Sequence, residues 1–139
     1  MRVYALNMKT PCYCAAVRSA ARKTTALYDA ALEPAGVNLA QFSLMRKIER
    51  AGTVSLTELG RLAELDRSTV GRNVKVLERL GLVRLTSAKD QREAAVRLTA
   101  AGTKALREAA PLWEKAQSRV EALLGAGGAE QLRTLALSL

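Results

Sequence analysis

The spacing of the apolar residues changes at Gly81, and this change constrains the fold more than any other feature of the sequence. Before Gly81 the apolar residues recur every three or four positions, as on the buried side of a helix: Val70, Val74, Leu77 and Leu80. After Gly81 the segments Leu82–Thr86 and Ala94–Leu98 alternate apolar with polar residues, as strands do. The polar segment Ser87–Glu93 between them predicts a hairpin turn. The sequence therefore predicts a helix that runs directly into a two-stranded wing.

A second short helix is predicted just before this one. Ser55 and Glu58 form the capping-box pattern that begins a helix, and we expect this helix to reach about Ala63. The residues of this helix expected to face inward are Leu59 and Leu62. Asp66 can cap the following helix, and Gly81 can end it. Two short helices joined by a tight turn and followed by a hairpin are the winged helix-turn-helix plan.

Helices are also predicted on both sides of this unit. Helical spacing runs from Cys12 to about Leu32, and Asn38 can cap a second helix. The apolar side of the second helix consists of Phe42, Met45 and Ile48. Thr99 can cap a long helix over residues 100–124, in which we expect a kink at Pro111. The glycines expected to break it, before a short last helix, are Gly125, Gly127 and Gly128. The predicted fold class is mainly α with a small β-wing.

The chain is strongly basic, which bears on its partners. It carries 22 lysines and arginines against 13 aspartates and glutamates, a formal net charge of +9 over 139 residues. A domain this basic favours polyanions, although many basic domains bind no nucleic acid. The absence of histidine removes Ser-His and Cys-His catalysis and the commonest zinc ligand. We therefore expect no enzymatic activity and no cofactor. Because neither a membrane span nor a signal peptide is evident, we also expect a cytoplasmic protein without membrane contact.

The predicted helix before the hairpin has an exposed side suited to DNA. Its polar and basic residues are Arg67, Ser68, Thr69, Arg72, Asn73 and Lys75. Arg72 can donate two hydrogen bonds to guanine O6 and N7, whereas Asn73 can donate one to adenine N7 and accept one from its N6 amino group. Ser68, Thr69 and Lys75 are better suited to phosphates. The alternative is an ordinary amphipathic surface helix.

The hairpin loop adds a second basic feature. Lys89 and Arg92 place two cations at the predicted tip, and Asp90 lies close enough in sequence to brace the Arg92 guanidinium. An arginine at such a tip can enter a narrow minor groove, where the negative potential is strongest. The alternative is a solvated turn without a partner.

Taken together, these segments resemble the multiple antibiotic resistance regulator (MarR) family. The matching segments are Leu59–Ala63, Asp66–Val70, Val76–Val83, Asp90–Arg92 and Val96–Gly102. The wing matches the family pattern of an acidic residue followed by arginine at Asp90 and Arg92. The family often has arginine between these two positions, and this chain has Gln91.

The resemblance implies a homodimer that binds a palindromic double-stranded DNA operator. It implies a winged helix-turn-helix domain over residues 36–99, and a helical dimerisation layer formed by residues 1–35 and 100–139. It also implies control, more often repression than activation, through release from the operator by a small ligand or by thiol oxidation. The rival functions are a winged helix that binds proteins without DNA, and a small thiol redox protein.

Two cysteines at the start of the first helix are candidate redox residues. The segment Cys14–Ser19 is similar to the segment around the reactive cysteine in the organic-hydroperoxide-sensing branch of the family, and Tyr28 matches one tyrosine used there. Two further tyrosine positions of that branch are occupied by Arg18 and Phe42. Cys12 can act as the resolving thiol for Cys14, or the pair can bind a soft metal. The alternative is that neither cysteine has a sensing role.

A small phenolic or anionic effector is the other implied control. The candidate lining residues are Arg18, Arg22, Tyr28, Phe42, Met45 and Arg46. Arg18 and Arg22 are four residues apart and share one side of the first helix. The alternative is that these arginines follow DNA phosphates or form ion pairs with a partner subunit.

Overall fold

The computed structural model describes residues 11–86 and 94–139, which form five α-helices and a three-stranded antiparallel sheet. The elements in chain order are α1 (Tyr13–Leu32), a 3-10 turn (Glu33–Ala35), α2 (Leu39–Ala51), β1 (Thr53–Ser55), α3 (Leu56–Ala63), α4 (Arg67–Arg79), β2 (Val83–Thr86), β3 (Ala95–Leu98) and α5 (Ala100–Ser138). The predicted fold class, mainly α with a small wing, is confirmed. No helix in the described ranges is long and apolar enough to span a membrane.

The helices begin at the predicted capping residues. The Asn38 side chain accepts a hydrogen bond from the Gln41 backbone N–H at 2.9 Å, and the Gln41 side chain accepts one from the Asn38 backbone at 3.0 Å. Ser55 accepts from the backbone of Glu58 at 3.1 Å at the start of α3. Thr99 caps α5 in the same way. These caps satisfy backbone donors that a helix start leaves without partners.

The end of α4 sets the direction of the chain into the wing. Gly81 has a φ of 75°, and its N–H donates to the carbonyl of Glu78 at 2.9 Å while that of Leu82 donates to Leu77 at 3.0 Å. This Schellman motif confirms Gly81 as the residue that ends the helix. Leu80, which we expected on the buried side of α4, is 52% exposed because the helix has already ended at Arg79.

A second inward-facing prediction is also wrong. Leu62 is 39% exposed. Helix α3 is only eight residues long, and the residues that it buries are Leu59 and Gly60. Leu62 therefore lies toward the edge of the contact between α3 and the core.

The wing contains one more strand than the sequence indicated. The short strand β1 pairs with β3, and β3 pairs with β2, so that β3 is the central strand. The inner face of the sheet buries Val54, Val83 and Val96 in the core. The opposite face carries the alternate residues of each strand, which are polar or small.

The core lies between α2, α3, α4 and the inner face of the sheet, and α1 and α5 pack beside it. The largest fully buried side chains are Leu32, Met45, Ile48, Leu59, Val70, Val74, Leu77 and Val96. Helix α1 packs against both α5 and α2. Helices α2 and α5 therefore join the winged helix-turn-helix unit to the flanking helices.

Helix α5 is long and is interrupted at a predicted position. Its helical backbone continues through Pro111, and the non-helical residue within it is Gly125, with φ 71° and ψ 166°. Gly125 therefore breaks the helix as expected, whereas Gly127 and Gly128 lie in the helical segment that follows. Large apolar side chains remain exposed on α1 and on the C-terminal part of α5: Tyr13, Val17, Leu123, Leu124, Leu132, Leu135 and Leu137.

Candidate nucleic-acid interface and adjoining grooves

The first turn of α4 is organised around the carboxylate of Asp66. One oxygen accepts from the Thr69 backbone N–H at 2.8 Å and from the Ser68 hydroxyl at 3.1 Å. The other oxygen accepts from the Thr69 hydroxyl at 2.9 Å. These hydrogen bonds, the backbone one first, hold the pKa of Asp66 below its usual value. The anionic cap therefore fixes the orientation of both hydroxyl groups in the free protein.

Arg72 extends this arrangement by one turn. Its guanidinium donates to the Ser68 hydroxyl at 3.4 Å and to the Thr69 hydroxyl at 3.3 Å, and the residue is exposed. Both distances are at the long end for hydrogen bonds, so these contacts orient Arg72 without holding it strongly. The structure thus brings three predicted DNA-binding residues together at the N-terminal end of α4. Arg67 and Lys75 are exposed on the same helix.

Asn73 occupies a different setting from Arg72. It is partly buried and lines a groove of about 230 Å³ between α4 and the first turn of α2. The neighbouring polar residues in this groove are Asn38 and Gln41, which form the capping box of α2. The positions of Asn38 and Gln41 beside α4 were not predicted from the sequence. Their capping pattern located the helix start but gave no information about its neighbours.

The wing contributes basic residues that the sequence analysis did not single out. Arg84 on β2 and Arg97 on β3 are directly opposite each other, and both are exposed. The sequence signal that could have identified Arg84 and Arg97 is their position at polar sites in the two segments of alternating apolar and polar residues. The predicted tip residues Lys89, Asp90 and Arg92 lie outside the described residues.

A groove between α2 and α5 contains an arginine stacked on aromatic rings. The Arg46 guanidinium lies 5.7 Å from the ring centroid of Phe42 and 5.2 Å from that of Trp113. These two rings lie 6.0 Å apart at an interplanar angle of 27°. The groove has a volume of about 260 Å³, and Glu49 and Arg107 also line it. Cation–π contact of this kind holds Arg46 beside the groove while leaving its N–H donors available.

Tyr28 joins α1 to the same aromatic group. Its ring stacks on Trp113 with centroids 6.5 Å apart, and its hydroxyl donates to the side-chain oxygen of Gln117. Burial, and secondarily the nearby charge of Glu121, raises the pKa of Tyr28 above its usual value. The phenol therefore remains a neutral hydrogen-bond donor at physiological pH.

The predicted effector residues divide into two groups. Tyr28, Phe42 and Arg46 meet around Trp113, which the sequence analysis did not name. A second groove on the other side of Arg46 has a volume of about 160 Å³. It is lined by Leu39, Phe42, Ser43, Arg46, Lys47, Arg50 and Trp113.

Tyr28 and the other three predicted effector residues line neither groove. Arg18 and Arg22 are exposed on α1. Met45 is fully buried in the core, because it lies on the inner side of α2 next to Arg46 on the groove side. Its expected place in the effector site is therefore not supported by its position.

The two cysteines lie at the exposed start of α1. Cys12 precedes the helix and Cys14 is in its first turn, and both are free thiols. Within residues 11–86 and 94–139, no group of three histidine, cysteine, aspartate or glutamate residues is placed to hold a metal ion.

The structure combines two short helices at a tight turn, an exposed basic second helix and a sheet-based wing. This combination defines a winged helix-turn-helix DNA-binding transcriptional regulator. Residues 35–93 match the model of the MarR family. The chain is 35% identical to the M. tuberculosis transcriptional regulator MosR, solved in complex with DNA, with 92% of each chain covered and a TM-score of 0.83. The chain belongs to the MarR family.

One further solved structure has the same fold, and one curated relative is similar in sequence. A MarR mutant from E. coli, solved with operator DNA, has a TM-score of 0.81 at 20% identity, covering 90% of this chain and 91% of that one. The curated relative YhbI of Bacillus subtilis, an uncharacterized HTH-type transcriptional regulator, is 28% identical over 123 residues, which are 88% of this chain and 80% of the relative.

Proposed function

We propose that this chain is a homodimeric repressor that reads a palindromic operator with α4 and leaves it when a small anionic aromatic ligand binds beside Arg46. The observation that carries the DNA-reading part is the Asp66-centred network, which presents Arg72 at the N-terminal end of an exposed basic helix. Solved complexes of relatives with DNA support this part. MarR-family membership supports the dimer and the release step.

Each residue of the α4 surface has a proposed role. Arg72 donates to guanine O6 and N7, because its contacts with Ser68 and Thr69 are weak enough to be exchanged for stronger ones with a base. Asn73 contacts adenine from the edge of its groove. The residues proposed to contact phosphates are Arg67, Ser68, Thr69 and Lys75. On the wing, Lys89 and Arg92 contact the minor groove, and Asp90 orients Arg92.

Selection from random DNA tests base reading by α4. Arg72→Ala should relax the preference at one position in each half-site and leave the others unchanged. Arg79→Ala is the matched control, because Arg79 is exposed in the last turn of the same helix. An unchanged preference in Arg72→Ala would exclude base reading by this residue. For the wing, Arg92→Ala should weaken specific binding at least tenfold, about 1.4 kcal/mol, at fixed salt.

A homodimer is proposed because apolar side chains are exposed where the family resemblance places the dimerisation layer. Val17 on α1 is 54% exposed, and Leu123 and Leu137 on α5 are 74% and 89% exposed. Large exposed apolar patches mark interaction surfaces, and a second copy offers the same apolar surface in return. In this proposal residues 1–35 and 100–139 form the interface, and residues 36–99 form the DNA-binding domain.

The proposed effector site is the groove between α2 and α5. An aromatic anion can stack beside Trp113 and pair with the Arg46 guanidinium, which lies against the rings of Phe42 and Trp113 in this groove. Because α2 belongs to the DNA-binding lobe and α5 to the flanking layer, displacement of Arg46 alters the contact between them. A ligand acts in this way only through its different affinities for the two arrangements, typically about 1–3 kcal/mol.

Fluorescence tests the effector site directly, since Trp113 is the single tryptophan of the chain. Titration with benzoate, a minimal aromatic anion, should change the Trp113 emission and should release operator DNA at the same concentrations. Arg46→Ala should weaken this response at least tenfold, whereas Arg50→Ala, which removes the same charge from the second groove, should leave it nearly unchanged. Equal responses of the parent and Arg46→Ala would exclude the proposed site.

Oxidation of thiols is a second proposed route of release. The observation in its favour is that both Cys12 and Cys14 are exposed, with Cys14 in the first turn of α1. Exposed thiols react with peroxides to form sulfenic acids, and a neighbouring thiol can then convert the sulfenic acid to a disulfide with release of water.

A further inference from the structure

The outer face of the wing sheet presents two arginines side by side. Arg97 lies on the central strand, with Arg84 directly opposite on β2 and Thr53 directly opposite on β1. All three residues are exposed. We call these three residues the outer wing face.

This arrangement is unfavourable for the free protein. Residues directly opposite on antiparallel strands have Cβ atoms about 4.5–5.5 Å apart, and like charges at such positions destabilise a sheet. Among residues 11–86 and 94–139, no carboxylate forms an ion pair with Arg84 or Arg97. The carboxylate of Glu78 contacts β2, but it accepts from the Leu85 backbone N–H at 3.3 Å. The sheet thus concentrates positive charge that its described neighbours do not neutralise.

We infer that the outer wing face binds DNA phosphates beside the groove that the wing tip enters. Two guanidinium groups and a hydroxyl are donors that match phosphate oxygens, and guanidinium binds them in a bidentate way. The inference rests on the proposed docking of the wing against DNA. The sheet itself would then contribute to the affinity for DNA, in addition to α4 and the wing tip.

The position of the pair along the hairpin suits this role. In the sequence, Arg84 lies five residues before Lys89, and Arg97 lies five residues after Arg92, so the two basic pairs are separated by the same number of residues on each side. Strand residues advance about 3.4 Å each. A minor groove is about 7.5 Å deep, so the phosphates on its rims stand back from an inserted tip, toward the base of the wing. The long side chains of Arg84 and Arg97 can span the remaining distance between the sheet and these phosphates.

The dependence of DNA affinity on salt tests the inference. Each phosphate contact contributes about −0.9 to the slope of log K against log salt concentration. Arg84→Gln and Arg97→Gln should each reduce the magnitude of this negative slope by about 0.9, and the double variant by about 1.8, with the base preference unchanged. Arg79→Gln is the matched control, since it removes the same charge from an exposed position in the last turn of α4. An equal reduction in the control would overturn the inference.

Stability of the free protein gives an independent readout. Removing one of two opposed charges should leave the urea midpoint of Arg97→Gln equal to that of the parent or raise it. A lower midpoint together with an unchanged salt slope would show that Arg97 has a structural partner and would overturn the inference. Failure of base reading would appear separately, as an unchanged base preference in Arg72→Ala.

Discussion

The junction between the wing and α5 offers the sharpest test of how the lobe is built. The Thr99 backbone N–H donates to the carbonyl of Leu82 at 3.0 Å, and the Thr99 hydroxyl donates to the carbonyl of Gly81 at 2.6 Å. The same hydroxyl oxygen accepts from the Gly102 N–H at 3.0 Å. Helix α5 therefore starts in direct contact with the turn that follows α4.

Gly102 is required at this junction by lack of space. A Cβ atom at position 102 would overlap the carbonyl oxygen of Leu82 and lie 2.9 Å from its carbonyl carbon. Both are backbone atoms, so no side-chain rotation can relieve the overlap. Overpacking of this kind costs about 1–3 kcal/mol, and displacement of the Leu82 carbonyl also weakens its hydrogen bond with Thr99, worth about 1 kcal/mol. Alanine recovers up to about 1 kcal/mol through its higher helix propensity. We expect Gly102→Ala to lower the free energy of unfolding by about 2 kcal/mol.

Urea unfolding measures this change, and the protein concentration is kept fixed because the stability of the proposed dimer would depend on it. Gly71→Ala is the matched control. Gly71 lies within α4, and a Cβ atom there would meet nothing within 4 Å. The control should be as stable as the parent or up to about 1 kcal/mol more stable. A Gly102→Ala protein at least as stable as the parent would refute the proposed close contact.

Three further predictions concern the cap, the interface and the thiols. Asp66→Ala should lower the urea midpoint at pH 7. The difference from the parent should shrink as the pH falls below about 4, because a carboxylate whose pKa is lowered in the folded state stabilises the fold only while it is ionised. A difference in midpoint that does not depend on pH would contradict this prediction. Leu124→Glu, on the exposed C-terminal part of α5, should sediment as a monomer and lose operator binding; an intact dimer would argue against that surface. Cys14→Ser should abolish release from DNA by peroxide, and continued release would exclude the thiol switch.

Local signals made most of the helix starts predictable. The helix caps at Asn38, Ser55, Asp66 and Thr99 each consist of a side chain and the backbone N–H three residues later, so four consecutive residues contain the whole signal. The Schellman motif at Gly81 is local in the same sense. These signals, with the change of period at Gly81, were sufficient to predict the helix-turn-helix and its wing.

Contacts between distant segments could not be predicted in this way. Strand β1 has only three residues, and its pairing with β3 depends on where the hairpin folds back. Met45 and Arg46 are adjacent on α2, yet one is fully buried and the other stacks on Trp113 from α5. Periodicity indicates which side of a helix is apolar, but it does not show which residues border a groove formed by another helix.

Two of the contacts that connect the DNA-binding lobe to α5 differ in kind, and this difference bears on how release would occur. At one, the backbone of Leu82 is packed against Gly102 with no free space. At the other, the Arg46 guanidinium lies against the aromatic rings of Phe42 and Trp113, in contacts that an anion can replace. A ligand beside Arg46 would therefore change the second contact and leave the first intact. We expect the lobe to rotate about the junction between the wing and α5 rather than separate from α5, which would alter the spacing of the two α4 helices in a dimer while each lobe stays folded.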